Sequence, residues 1–173
     1  MMGYQRSMDN RERGGNMLQA QGTTAEDRLI SLGLTLPKTA GAVANYVPWA
    51  IVGNMLYTSG QLPWIEGDLK FKGKIGRELT AEQGYQACQL STLNAISQLK
   101  SALGDLEKVK RIVRIEGVLN VAPGFTATPG VLNGASDLVS TVFGPRGAHT
   151  RMIYTNPELP LDCACLIVFW AEV

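Results

Sequence analysis

The last apolar run, residues 163–170, constrains this chain more than any other segment. Read as a strand, it puts Cys163, Cys165, Ile167 and Phe169 on one face and Ala164, Leu166, Val168 and Trp170 on the other. Neither face is polar, so both must be covered. Two helices lying on one side of a sheet leave the other side bare. A second copy of the chain is the economical cover.

The rest of the chain supplies those helices. Thr80-Ala81-Glu82-Gln83 is a capping box, and it predicts a helix from Thr80 to Leu103 that Gly104 ends. Leu90, Leu93, Ile96, Leu99 and Leu103 form its apolar stripe. A second long helix is expected from Thr128, with Pro129 in its first turn and Gly144 after it. Val131, Leu132, Ala135, Leu138, Val139 and Val142 supply its buried face. Between the two helices, residues 109–121 are rich in Val and Ile and read as a long strand. Upstream, residues 45–52 and 55–61 flank Gly53-Asn54 and read as a hairpin. Residues 64–78 read as a loop with a short strand, and residues 26–34 as a short helix. Lys70, Lys72, Lys74 and Arg77 alternate with apolar or Gly residues, as an exposed hairpin would. The element order is β-β-(β)-α-β-α-β-β. It predicts an α+β fold with one mixed sheet and both helices on one face.

At 173 residues the chain is expected to form one domain, residues 26–173, after a mobile N-terminal extension, residues 1–25. That extension is rich in Gly, Gln, Asn, Met and Arg and lacks the apolar core of a secretory signal. Arg6, Arg11 and Arg13 resemble a mitochondrial presequence, whereas Asp9 and Glu12 oppose that reading, so a cytoplasmic location is expected. No apolar stretch reaches membrane-spanning length. The net charge of +1 gives no field for nucleic acid or anionic membrane. Cys88, Cys163 and Cys165, with the single histidine His149, match no common zinc pattern, so the cysteines read as small buried apolar groups.

Arg151 is the leading functional candidate. It follows the Gly-rich stretch 144–150 and opens the short apolar run 152–154. At the start of a strand, a fixed guanidinium can hold a carboxylate through two parallel hydrogen bonds, which a lysine cannot. A structural ion pair is the competing reading. Asn133, polar among Val131, Leu132 and Ala135, is expected to face a cleft. Gly60 ends a strand and would let a backbone or ligand approach closely, Tyr46 lies in the first strand of the hairpin, and His149 reads as a loop residue.

Several stretches together resemble the Rid family of reactive intermediate deaminases, also called the YjgF or endoribonuclease L-PSP family. They are Leu56-Tyr-Thr-Ser-Gly-Gln-Leu-Pro63, the Thr80 helix with its Leu103-Gly-Asp-Leu106 exit, Asn133, and the Arg151 segment running to Leu159-Pro160. The resemblance covers residues 35–173. The stretch from Leu32 to Pro37 is similar to that of the longer variants. The resemblance implies a chorismate-mutase-like fold and a homotrimer whose sheets form a central barrel with three intersubunit clefts. It implies hydrolysis of enamines or imines to keto acids and ammonia, with no metal or organic cofactor. It puts Arg151 on the substrate carboxylate, with Tyr46, Gly60 and Asn133 shaping the cleft. The family's water-orienting Glu stands six residues after the Pro of Leu-Pro. Here that position is Leu166, and the next such position is Val168. Leu can neither donate nor accept a proton. The expectation is therefore a cleft that binds small carboxylates, with weak imine hydrolysis at best or binding alone. RNA cleavage fits poorly, because no acid–base pair accompanies His149.

Overall fold

A computed structural model gives the structure of residues 24–39, 41, 42 and 44–173. The expected N-terminal extension, apart from Thr24 and Ala25, lies outside the described residues. The elements run α1 (Ala25–Ser31), β1 (Trp49–Val52), β2 (Met55–Thr58), β3 (Trp64–Ile65), β4 (Asp68–Leu69), α2 (Ala81–Leu103), β5 (Arg111–Asn120), α3 (Thr128–Phe143), β6 (Thr150–Asn156) and β7 (Cys165–Glu172). Five strands form one sheet in the order β1-β2-β7-β5-β6, and β3 and β4 pair separately. All pairs in the main sheet are antiparallel except β5 and β6. Those two are parallel because α3 carries the chain back between them. This is the expected α+β arrangement with one mixed sheet.

Both long helices form for the reasons legible in the chain. Thr80 Oγ1 accepts from Gln83 N–H at 3.1 Å, and Gln83 Oε1 accepts from Thr80 N–H at 2.9 Å. Gly104 ends α2 at φ 75°, a left-handed conformation that glycine adopts without a Cβ penalty. Pro129 occupies the first turn of α3. Here α2 and α3 come unusually close. A Cβ on Gly134 would lie 2.1 Å from the Tyr85 carbonyl oxygen, so only glycine fits.

The core lies between the helices and one face of the sheet. Ile96, Leu99, Leu132, Val139 and Val142 meet Ile112, Ile115, Leu119, Cys165, Ile167 and Phe169, all essentially inaccessible to solvent. The opposite face is open within one chain. Trp170, Met152 and Tyr154 are exposed there, and Leu166 and Val168 are half-buried. Tyr57 packs edge-on against Trp170 at 5.5 Å, and the Arg114 guanidinium lies 5.6 Å from the Trp170 ring centre.

Some sequence expectations need correction. Residues 45–48 lie in a stretch of bends outside any strand, and the first strand begins only at Trp49. Pro48, which lacks an N–H, immediately precedes that strand. The first helix ends at Ser31 rather than at residue 34, and Gly33 follows it at φ 68°. A capping box that the sequence reading passed over, Thr24 with Asp27, starts that helix one residue earlier than expected. Lys74 does not sit on an exposed hairpin edge. Its side chain is only 12% exposed. Its ammonium donates to Asn120 Oδ1 at 2.9 Å and to the Pro157 carbonyl, and it lies 3.4 Å from Glu158. Two hydrogen bonds and an ion pair tie the loop after β6 to β5.

Candidate functional site

β6 is the edge strand beside β5, and its register sets the direction of Arg151. Arg151 pairs with Ile115, which is fully buried beneath the helices. Arg151 therefore leans toward the helical side of the sheet, while the edge position keeps its head exposed. There Arg151 NH1 donates to Asn133 Oδ1 at 2.7 Å and to Ser136 Oγ at 3.2 Å. Asn133 and Ser136 stand three residues apart on α3, so they share one side of that helix. Among the described residues no acidic side chain is ion-paired with Arg151. The guanidinium is thus oriented by two neutral oxygens and keeps its charge for another anion.

His149 is more than a loop residue. Its Nδ1 lies 2.6 Å from the Gly147 carbonyl oxygen and its Nε2 lies 3.0 Å from Ser136 Oγ. Sequence reasoning missed Ser136 altogether. A serine on a helix carries no signal until the fold sets a histidine and an arginine against it. One position along α3, Asp137 accepts from the Tyr85 hydroxyl at 3.0 Å. Burial first, and then that hydrogen bond to a carboxylate, pushes the Tyr85 phenol above its usual range.

Tyr46 and Gly60 lie together elsewhere. With Pro48, Gln61, Leu62 and Trp64 they line a shallow pocket. Ser59 holds this corner, donating its N–H to the Pro48 carbonyl at 2.8 Å and its hydroxyl to the Val47 carbonyl at 2.7 Å. Tyr46 is 45% exposed. Gly60 abuts Leu166: a Cβ on the glycine would sit 3.5 Å from Leu166 Cβ.

These two groups do not meet within one chain. Arg151 aligns through Ile115 with Phe169, whereas Leu166 aligns with Val118 and Tyr154. Three residues along and two strands across puts Arg151 and Leu166 roughly 14 Å apart at the backbone. They also point to opposite faces of the sheet. The carboxylates considered at the sequence level do not serve Leu166. Glu172 accepts from Asn54 at 3.2 Å, and Asp162 accepts from Asn120 at 3.1 Å. A closer one was missed. Glu116 stands across from Val168, on the face that carries Leu166, and pairs with Arg114 at 2.8 Å.

The three cysteines are free and buried. Burial pushes the Cys163 thiol up to about 12. Cys88 is raised first by its hydrogen bond with Cys165 and then by burial. Both thiols stay neutral, and neutral thiols are poor nucleophiles and poor metal ligands. Among the described residues no group of three His, Cys, Asp or Glu side chains stands together as a metal site would need. Among them also, no helix is long and apolar enough to cross a membrane.

One mixed sheet, two long helices on a single face and an open opposite face define a protein of the chorismate-mutase-like α+β class. Residues 26–173 match the family model described as "YjgF/chorismate_mutase-like, putative endoribonuclease", and the chain belongs to that family. It is similar to a "putative endoribonuclease" from Shewanella oneidensis, 50% identical, with a TM-score of 0.86 over 87% of this chain and 100% of that one. It is also similar to the protein Atu1372 from Agrobacterium tumefaciens, 37% identical, with a TM-score of 0.82 over 92% and 99% of the two chains. Protein TCP17 of Trypanosoma cruzi is 39% identical over 137 residues, which are 79% of this chain and 86% of that protein.

Proposed function

We propose that this protein binds small carboxylates, keto or imino acids, in clefts shared between the subunits of a homotrimer. The observation that carries this reading is the Arg151 guanidinium. It is oriented by Asn133 and Ser136, is exposed, and has no acidic partner among the described residues. A cation held in place by neutral oxygens has little left to lose on binding an anion. The distance between the Arg151 group and the Tyr46–Gly60 pocket favours a cleft in which one subunit supplies the arginine and its neighbour supplies the pocket. The open sheet face, with Trp170, Met152 and Tyr154 exposed, is the surface on which the copies pack.

Turnover in this reading is hydrolysis of enamines or imines to keto acids and ammonia, and it is slow or absent. The apolar Leu166 side chain fills the space beside Gly60, where the family resemblance calls for a water-orienting Glu. RNA cleavage is the weaker alternative, because the chain has a single histidine and a net charge of only +1. Titration calorimetry with 2-oxobutyrate and pyruvate tests the binding reading. Arg151→Lys is expected to weaken binding by about 1–3 kcal/mol, the scale of a charge-assisted hydrogen bond. Equal binding by the wild type and Arg151→Lys would remove the anchor.

A further inference from the structure

We propose that Ser136 is a nucleophile activated by His149, giving the protein an acyl-transfer activity toward small carboxylic esters. The proton positions follow from the donors and acceptors. The Gly147 carbonyl oxygen can only accept, so at 2.6 Å it must receive the proton on His149 Nδ1. In the neutral ring Nε2 is then a bare lone pair. Ser136 Oγ, 3.0 Å away, donates its proton to that lone pair. Arg151 NH1 donates into the same oxygen at 3.2 Å. One lone pair of the hydroxyl is thus engaged by the guanidinium, and the second remains for a substrate.

This arrangement has the parts of an activated serine: the hydroxyl, a base within hydrogen-bond reach, and a third group that fixes the tautomer of the base. Here the third group is a backbone carbonyl rather than a carboxylate. Hydrogen bonding to the guanidinium favours the deprotonated oxygen. Packing of the β6 edge on α3 accounts for Asn133 meeting Arg151. It does not require a histidine to present its unprotonated nitrogen to a serine that already accepts from an arginine. Ser136 and His149 are half-buried, while Asn133 and Arg151 are exposed, so the cluster lies at the surface of the single chain.

The reaction balances without a further reactant. Ser136 Oγ forms a bond to the ester carbonyl carbon, and its proton passes to His149 Nε2. The bond from that carbon to the leaving oxygen breaks, and the leaving oxygen takes the proton from Nε2. Water then attacks the acyl-serine with His149 again as base, releasing the acid and restoring the hydroxyl.

The full chain is treated with an alkyl fluorophosphonate and, separately, with p-nitrophenyl acetate. Intact mass and fragmentation locate any adduct. The expected result is one phosphonyl group per chain on Ser136, with fluoride released. His149→Gln should slow it by about 10²–10⁴-fold, the usual loss when a general base is removed. Mapping the adduct in the wild type needs no variant to fold, and Ser136→Ala, a substitution helices tolerate, should take none. Three results each overturn the proposal: no adduct on the wild type, an adduct elsewhere than Ser136, or equal rates with and without His149. Neither probe carries a carboxylate, so this outcome is independent of the carboxylate-binding reading even though both share Arg151.

Discussion

Leu166 stands on the open side of the sheet, 3.5 Å from where a Cβ on Gly60 would lie, and its neighbours there, Val118 and Val168, are also aliphatic. Leu166→Glu would put an ionisable group into this setting. Burying an unpaired carboxylate costs several kcal/mol unless water or a cation reaches it. Glu116 already occupies the near cation, Arg114, at 2.8 Å. The expected outcome is measurable hydrolysis of 2-iminobutyrate, generated in place by an amino-acid oxidase, above both the spontaneous rate and the wild-type rate. The gain should be on the order of the 10²–10⁴-fold typical of general acid–base help. A wild type already as fast as its active relatives would show that the missing Glu is unimportant. In that case Leu166 would no longer explain weak turnover.

At the scale of elements, the decisive contact is the crossing of α2 and α3. It places Asn133 and Ser136 at the height of Arg151, because Gly134 lets the two backbones touch at Tyr85. Gly134→Ala sets a methyl 2.1 Å from a carbonyl oxygen, and backbone atoms cannot swing aside as a side chain does. The helices must separate. Overpacking of this kind costs about 1–3 kcal/mol. A lower midpoint in urea denaturation is expected, together with weaker carboxylate binding, since α3 carries the Asn133 and Ser136 side chains that orient Arg151. A variant as stable as the wild type would mean that the crossing is more plastic than its geometry indicates.

For the whole molecule, the proposed trimer rests on the open sheet face. Trp170 lies there between Tyr57 and Arg114, with Met152 and Tyr154 exposed on the edge strand β6, beyond β5. Sedimentation or light scattering at dilute, neutral conditions should give about three times the chain mass of 18.7 kDa. Trp170→Glu removes apolar area at that face and adds a charge, so it is expected to shift the population to monomer. Loss of carboxylate binding should follow, because the Arg151 group and the Tyr46–Gly60 pocket would lose their common cleft. A wild type that stays monomeric at every concentration would dismantle the shared-cleft reading.

Much of the fold was legible in the chain because its signals are local. The Thr80 capping box, the Gly104 stop, Pro129 in the first turn of α3 and the two-faced apolar run of β7 each act over a few residues. The sequence also pointed to Arg151 and Asn133, which the structure joins at 2.7 Å. It set Gly60 beside Tyr46 only through resemblance, and the two line one pocket. Other features depend on residues distant in the chain. Lys74 reads as a solvated charge until Asn120 and the carbonyl of Pro157, 46 and 83 residues away, close around it. Ser136 reads as an ordinary helix residue until β6 returns parallel to β5 and delivers His149 and Arg151 to it. Capping and alternation are set by neighbours along the chain, so most of the elements and their faces can be read from it directly. Hydrogen-bond partners across a parallel crossover are set by register and helix docking, so which polar groups meet emerges only once the chain has folded.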